Sequence, residues 1–221
     1  MPKTARMLDA GCATGYLLGL LHGLGYTRLT GVDVSVQLTA TARERLPPEV
    51  SIHCADLFDF LRATPDGSFD VILFHHVIEH IPRERIVGLL REFHRCLAPG
   101  GWLNVKTPNA ANLLAGHYVA GDITHVTPFN ELSLRQVAEL AGFPADTFEV
   151  VRNPPRLFWS WRHPGRAALR VFNRLRWHAN RGVHRAVAML VDVHPALECA
   201  DWELDALLKK PAVLPAAANR P

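Results

Sequence analysis

Five short apolar runs, separated by stretches of helical periodicity, constrain this chain more than any other feature. Residues 6–10, 29–34, 50–54, 69–74 and 102–107 are short and rich in β-formers, and they read as strands. Between them, residues 16–24, 38–45 and 83–97 repeat apolar positions at helical intervals. Strands alternating with helices imply right-handed βαβ units, hence a Rossmann-like, doubly wound α/β fold with a mostly parallel sheet covered on both faces. Pro99-Gly100-Gly101 reads as a sharp helix stop before the fifth strand. The polar stretch 108–130 is long for a plain connection and is a candidate functional loop. A helix over 133–141 follows, with Ser133 placed to cap it and Gly142 to end it, and then a sixth strand over 148–152.

At 221 residues and 48% hydrophobic, the chain can bury a sizeable core, and residues 1–211 read as one domain. The Pro/Ala-rich end, 212–221, reads as a disordered tail. No segment approaches the roughly 18 unbroken apolar residues of a membrane span, and residues 1–6 lack a signal-peptide core. A cytoplasmic protein is therefore expected. Cys12, Cys54, Cys96 and Cys199 are scattered, which suits free thiols, and no His/Cys spacing suggests a metal site.

The chemistry concentrates where strands end. Met7-Leu8-Asp9-Ala10 runs into Gly11-Cys12-Ala13-Thr14-Gly15 and then a helix. Glycine at such a turn lets the backbone approach a ligand, and the helix start offers unpaired N–H groups. The glycines are spaced GxxxG, not in the dinucleotide pattern GxGxxG, and a glycine loop alone is as readily a tight structural turn. The second strand, however, ends Gly31-Val32-Asp33, 18 residues beyond Gly15, where a carboxylate can accept both ribose hydroxyls. The third is followed by Ala55-Asp56-Leu57, where another acid can accept from an adenine amino group. Each acid alone is more often a cap or a solvated group. Three consecutive strand ends sharing one edge point instead to a single adenosyl ligand.

On these residues, together with Phe69-Asp70-Val71-Ile72, Glu79-His80-Ile81 and Leu97-Ala98-Pro99-Gly100-Gly101, the sequence resembles the class I S-adenosylmethionine (SAM) dependent methyltransferases, in the group of ubiquinone and small-molecule O-methyltransferases. The resemblance covers about residues 6–143. Ala13 stands where the family often has glycine. The resemblance implies that Asp9, Gly11, Cys12, Ala13 and Gly15 line the methionine part of SAM, with Phe74 and His75. It places Asp33 and Val34 at the ribose, and Asp56 and Leu57 at the adenine. It also implies seven strands, the last antiparallel beside the sixth. Residues 201–209 fit that last strand, so 153–200 would be a helical insertion emerging near the ligand edge. Family members usually carry helices before the first strand, which here begins near Arg6. Either cover for the cofactor comes from the insertion or from a second subunit in a homodimer, or the site is unusually open, or the true start lies upstream of Met1.

The insertion is basic. Residues 1–151 hold 12 Lys/Arg against 16 Asp/Glu, whereas 152–185 hold 9 Arg and no acid. Turned at 100° per residue, Arg166, Arg170, Arg174, Arg181 and Arg185 share one side, opposite Ala168, Phe172, Leu175, Ala179, Val183, Ala186 and Leu190. Two readings compete: an ordinary helix with a solvated Arg face, or a contact for an acidic partner. Such a partner would be an anionic membrane at the inner face or a phosphate-bearing or carboxylated acceptor, while nucleic acid is not expected in the absence of any appended RNA module. Phe158-Trp159-Ser160-Trp161 would sit at that interface, cap the acceptor pocket or join the core.

Methyl transfer from a sulfonium needs in-line positioning, and an alcohol acceptor gains from a general base. Histidine is best tuned for that role, and His75, His76, His80, His117 and His125 lie after strands four and five. Asp122-Ile123-Thr124-His125 with Pro128-Phe129 resembles a segment of methyltransferases acting on cell-surface sugars. His125 is therefore the first expectation for the base and His76 the second, with Glu79-His80 a structural pair. The leading expectation is O-methylation of a hydroxylated small molecule, sugar or lipid-linked glycan. The alternatives are an RNA methyltransferase and an inactive SAM-binding partner protein.

Overall fold

The computed structural model describes residues 1–112, 115–151 and 203–212, with positions 171, 172, 174, 175, 178, 179, 181–183, 185 and 186 between the last two. In chain order the elements are β1 (Arg6–Ala10), α1 (Tyr16–Gly23), β2 (Arg28–Asp33), α2 (Val36–Arg45), β3 (Ser51–Cys54), α3 (Leu57–Ala63) and β4 (Phe69–His75). A 3-10 turn at Ile78–His80 leads to α4 (Arg83–Cys96), β5 (Leu97–Pro108), α5 (Ala115–Val119), α6 (Glu131–Leu140), β6 (Phe148–Val150) and β7 (Glu203–Lys209).

These strands form one seven-stranded sheet in the order β3-β2-β1-β4-β5-β7-β6. The first five pair in parallel, and β7 runs antiparallel between β5 and β6, as expected. Because β1 is flanked by β2 on one side and β4 on the other, the strand order reverses there. A crevice opens at such a switch point beyond the carboxyl ends of the strands. Asp9 near the end of β1, Asp33 at the end of β2 and His75 at the end of β4 surround it.

Both sheet faces are covered, and strand alternation decides which residue faces which layer. Leu8, Ala10, Ile72, Phe74, Leu103 and Val105 face the layer containing α4 and α6. Met7, Leu29 and Val71 face the other way, against Leu18 of α1. Helix α4 buries Ile86, Leu89, Leu90, Phe93 and Cys96, a stripe at helical spacing. Each such apolar side chain stabilises the fold by about 1.5–3 kcal/mol.

Several local expectations are corrected. The helix over 133–141 begins at Glu131, because Asn130 rather than Ser133 caps it. Asn130 Oδ1 accepts from Ser133 N at 2.9 Å, and Ser133 Oγ accepts from Asn130 N at 3.0 Å, a reciprocal capping box. α3 and α5 were not anticipated, being only seven and five residues long. Pro99-Gly100-Gly101 lies within β5, where the pairing with β4 jumps from Phe69↔Leu97 to Val71↔Trp102. Positions 171–186 that are described are helical, but Phe172, Leu175 and Val183 are exposed while Arg174 and Arg181 are half-buried. Arg166, Arg170 and the 158–161 aromatic cluster lie outside the described residues, as does the segment 213–221. Cys12, Cys54 and Cys96 are free. No helix among the described residues is long and apolar enough to cross a membrane.

Candidate active site

The glycine loop is held from the end of β2. Gly11 N and Cys12 N both donate to Val32 O, at 2.8 and 3.0 Å, and Gly15 N closes the turn on Cys12 O at 2.8 Å. Three loop residues take positive φ: Gly11 at 86°, Ala13 at 44° and Gly15 at 75°. A side chain on Gly11 would overlap Val77, so the loop and the segment after β4 touch. α1 then begins with no side-chain cap and no acid in its first turn, leaving its amide end for an outside acceptor.

Asp33 is half-buried at the rim. Its Oδ2 accepts from Ala13 N and its Oδ1 from Ser35 N, each at 2.9 Å. Each oxygen keeps a further lone pair for a ligand hydroxyl. Val34 and Tyr16 are 72% and 76% exposed, an apolar rim beside it. Tyr16 had passed unnoticed in the sequence, where it reads simply as the first helical residue. Asp56 Oδ1 caps α3, accepting from Phe58 N at 2.9 Å and Asp59 N at 3.3 Å. The capping reading of that acid therefore holds for one oxygen, with Leu57 opening the helix behind it.

Asp9 is 4% exposed. Burial first, and the nearby Asp33 charge second, push its carboxyl up to about 7. Burial also pushes the Cys12 thiol up to about 12, so it is no nucleophile. Phe74 is fully buried with its ring against Phe93, so its side chain belongs to the core rather than the crevice. His75 Nε2 lies 2.6 Å from Asn104 Oδ1, while Asn104 Nδ2 donates to Asp205 Oδ1 at 2.7 Å and to Ala206 O. That network makes Nε2 the protonated nitrogen of His75 and Nδ1 its lone-pair nitrogen. Burial lowers the His75 pKa, disfavouring the charged ring.

His76 has φ 54° and bridges carboxylates: Nε2 is 2.8 Å from Glu203 Oε1, and Nδ1 is 3.5 Å from Glu79 Oε1. The hydrogen bond to Glu203, then the 3.5 Å ion pair with Glu79, raises its pKa to about 9. An imidazolium has no lone pair with which to take a proton, which sets His76 against the base role expected of it.

The loop over 108–130 folds back onto the turn after β4. Val126 N and Thr127 N both donate to Glu79 O, at 2.9 and 3.0 Å, and Thr127 Oγ1 donates to Ile81 O at 2.9 Å. This carries His125 against His80, with ring centroids 4.8 Å apart. His125 Nδ1 is 3.1 Å from Val119 O, and His80 Nδ1 is 2.9 Å from Thr124 Oγ1 and 3.2 Å from Thr124 O. His80 thus pairs with the loop, while Glu79 turns toward His76, so the expected Glu79–His80 pair does not form as such. One donor atom each of Glu79, His80 and His125 lies within 4.8 Å of the others. No sequence spacing had suggested a metal-ligand set there. His117 lies on α5, before that histidine pair.

A doubly wound sheet whose switch-point crevice joins a glycine loop, strand-end carboxylates and a histidine-bearing loop defines a nucleotide-cofactor-binding α/β protein. Residues 1–158 match the family model described as a methyltransferase domain, and the chain belongs to that family. A probable S-adenosylmethionine-dependent methyltransferase of Mycolicibacterium smegmatis is 31% identical over 160 residues, covering 72% of this chain and 60% of that protein. The ubiquinone biosynthesis O-methyltransferase of Thiobacillus denitrificans is 32% identical over 107 residues, covering 47% of this chain and 44% of that one. The chain spans about half the length of these curated relatives. The crystal structure of a SAM-dependent methyltransferase from Archaeoglobus fulgidus shares the fold, with a TM-score of 0.66 at 20% identity over 94% of this chain and 86% of that one.

Proposed function

We propose that this chain transfers the methyl group of SAM to a hydroxyl of a small molecule, sugar or lipid-linked glycan. One observation carries the reading: Asp33 ties the glycine loop to the end of β2, beside an uncapped helix start and an exposed apolar rim. An adenosyl group fits that rim, its ribose on Asp33, while the cationic amino end of the methionine part suits the carboxylate of Asp9. Asp56 is left with one oxygen for the adenine edge.

Transfer then requires the acceptor oxygen in line with the C–S bond. The O–C bond forms as the C–S bond breaks, and its electron pair returns sulfur to a neutral thioether. The hydroxyl proton has to leave. His125, with Nδ1 turned to the Val119 carbonyl, presents the lone pair of Nε2 in the loop cluster. Hydroxyl rather than amine chemistry is favoured by the O-methyltransferase relative and by that proton acceptor. The test is incubation with methyl-labelled SAM and panels of phenols, sugars, amines and thiols. Label confined to hydroxyl acceptors supports the reading, and label on amines alone overturns it.

A further inference from the structure

Glu79 is the most unusual polar side chain in the described structure. It is 2% exposed, and neither carboxylate oxygen has a hydrogen-bond partner, the closest approach being the 3.5 Å ion-pair contact with His76. A buried carboxylate left so is costly unless a further ligand completes it. Toward it point His80 and His125, half-buried, from two segments 45 residues apart.

In both histidines Nδ1 is already engaged, by Thr124 and by Val119 O. Such a bond on one ring nitrogen fixes the tautomer and leaves Nε2 as the donor, the usual arrangement behind metal-ligating histidines. Asp122, whose Oδ1 holds Thr124 Oγ1 at 2.7 Å and whose Oδ2 is 4.0 Å from His125 Nε2, supports the same pair from outside. A cation bonded at about 2.1 Å can bridge donors up to about 4.2 Å apart, so donors that lie within 4.8 Å of one another have to draw together by about 0.6 Å at most.

We infer that Glu79, His80 and His125 form a site for a first-row divalent cation. Two imidazoles and one carboxylate favour Zn2+, Co2+ or Mn2+ over Mg2+, which prefers oxygen ligands and keeps its water. Three protein donors leave coordination positions open for an exogenous oxygen. The segment 76–80 abuts the glycine loop through Val77 and Gly11, so the cluster lies on a turn that borders the crevice. Resting on the proposed methyl transfer, the cation would bind the acceptor hydroxyl and let its proton pass to water before attack. His125 is then a ligand in the loaded enzyme, not the base.

Binding is tested on the full chain stripped by chelator, without SAM or acceptor, so its outcome is independent of the proposed reaction. Calorimetric titration with Co2+ and Zn2+, with Co2+ absorption followed in parallel, should give one equivalent bound. Glu79→Gln and His125→Ala should each weaken that equivalent by about 100-fold or more. Circular dichroism and melting establish that each variant is folded. His80→Gln, altering a half-buried ring rather than a buried carboxylate, serves if Glu79→Gln does not fold. Absence of stoichiometric binding, or wild-type affinity in the folded variants, overturns the site. Bound metal with methyl transfer indifferent to chelation keeps the site and overturns its role.

Discussion

Asp33 Oδ2 accepts the backbone N–H of Ala13 at 2.9 Å, so the acid proposed to bind ribose also holds the loop that faces the methionine part of the cofactor. Ala13 sits at φ 44°, a conformation costing a residue with Cβ about 1–2 kcal/mol. Ala13→Gly removes that strain and adds a similar unfolded-state entropy cost, so stability should change by less than about 0.5 kcal/mol. Gly11→Ala, by contrast, meets both a φ of 86° and the Val77 side chain, and should cost about 2 kcal/mol or more. Urea unfolding of the two variants checks both values.

Asp9 makes stability depend on pH. Its carboxyl titrates near 7 in the folded chain against the ordinary 3.8. The folded state therefore binds more protons between these values, and stability falls as pH rises through that window. The cost is fully present above pH 7. Asp9→Asn should flatten the slope and melt higher than wild type at pH 8, yet bind SAM more weakly. Melting from pH 5 to 8, paired with SAM titrations, separates the two effects.

Arg95 joins α4 to the turn before β4. It donates to Thr64 O, Leu61 O, Asp66 Oδ1 and Glu92 Oε2, all between 2.6 and 3.0 Å. Arg95→Ala should destabilise by about 2 kcal/mol by removing the charged donor of Thr64 O and one donor of Leu61 O, which keeps Thr64 N. Cofactor affinity should be unchanged, since none of these groups reaches the crevice. Unfolding and SAM binding of the same variant test the pair of statements.

Much of the sheet was legible because β1, β2, β4 and β5 are apolar runs with clear breaks, and the acids that matter sit at their ends. α3 was hidden because Asp56 was already read as a ligand acid, although its Oδ1 also caps the helix. Asn130 was passed over for Ser133 because either can cap, and only the reciprocal bonds tell which does. His76 offered no hint of its carboxylate partners, since Glu203 lies 127 residues away and arrives through the antiparallel placement of β7. The Glu79, His80 and His125 cluster was equally invisible. It exists because two amides of the 108–130 loop bond to one carbonyl, that of Glu79.

The cofactor assignment is tested most directly by calorimetry with SAM and its thioether product, S-adenosylhomocysteine, comparing wild type with Asp33→Ala. The account predicts micromolar-range binding to the wild type and its loss in a variant that circular dichroism shows to be folded. Equal affinity in the two proteins, or no binding to the wild type, would contradict it.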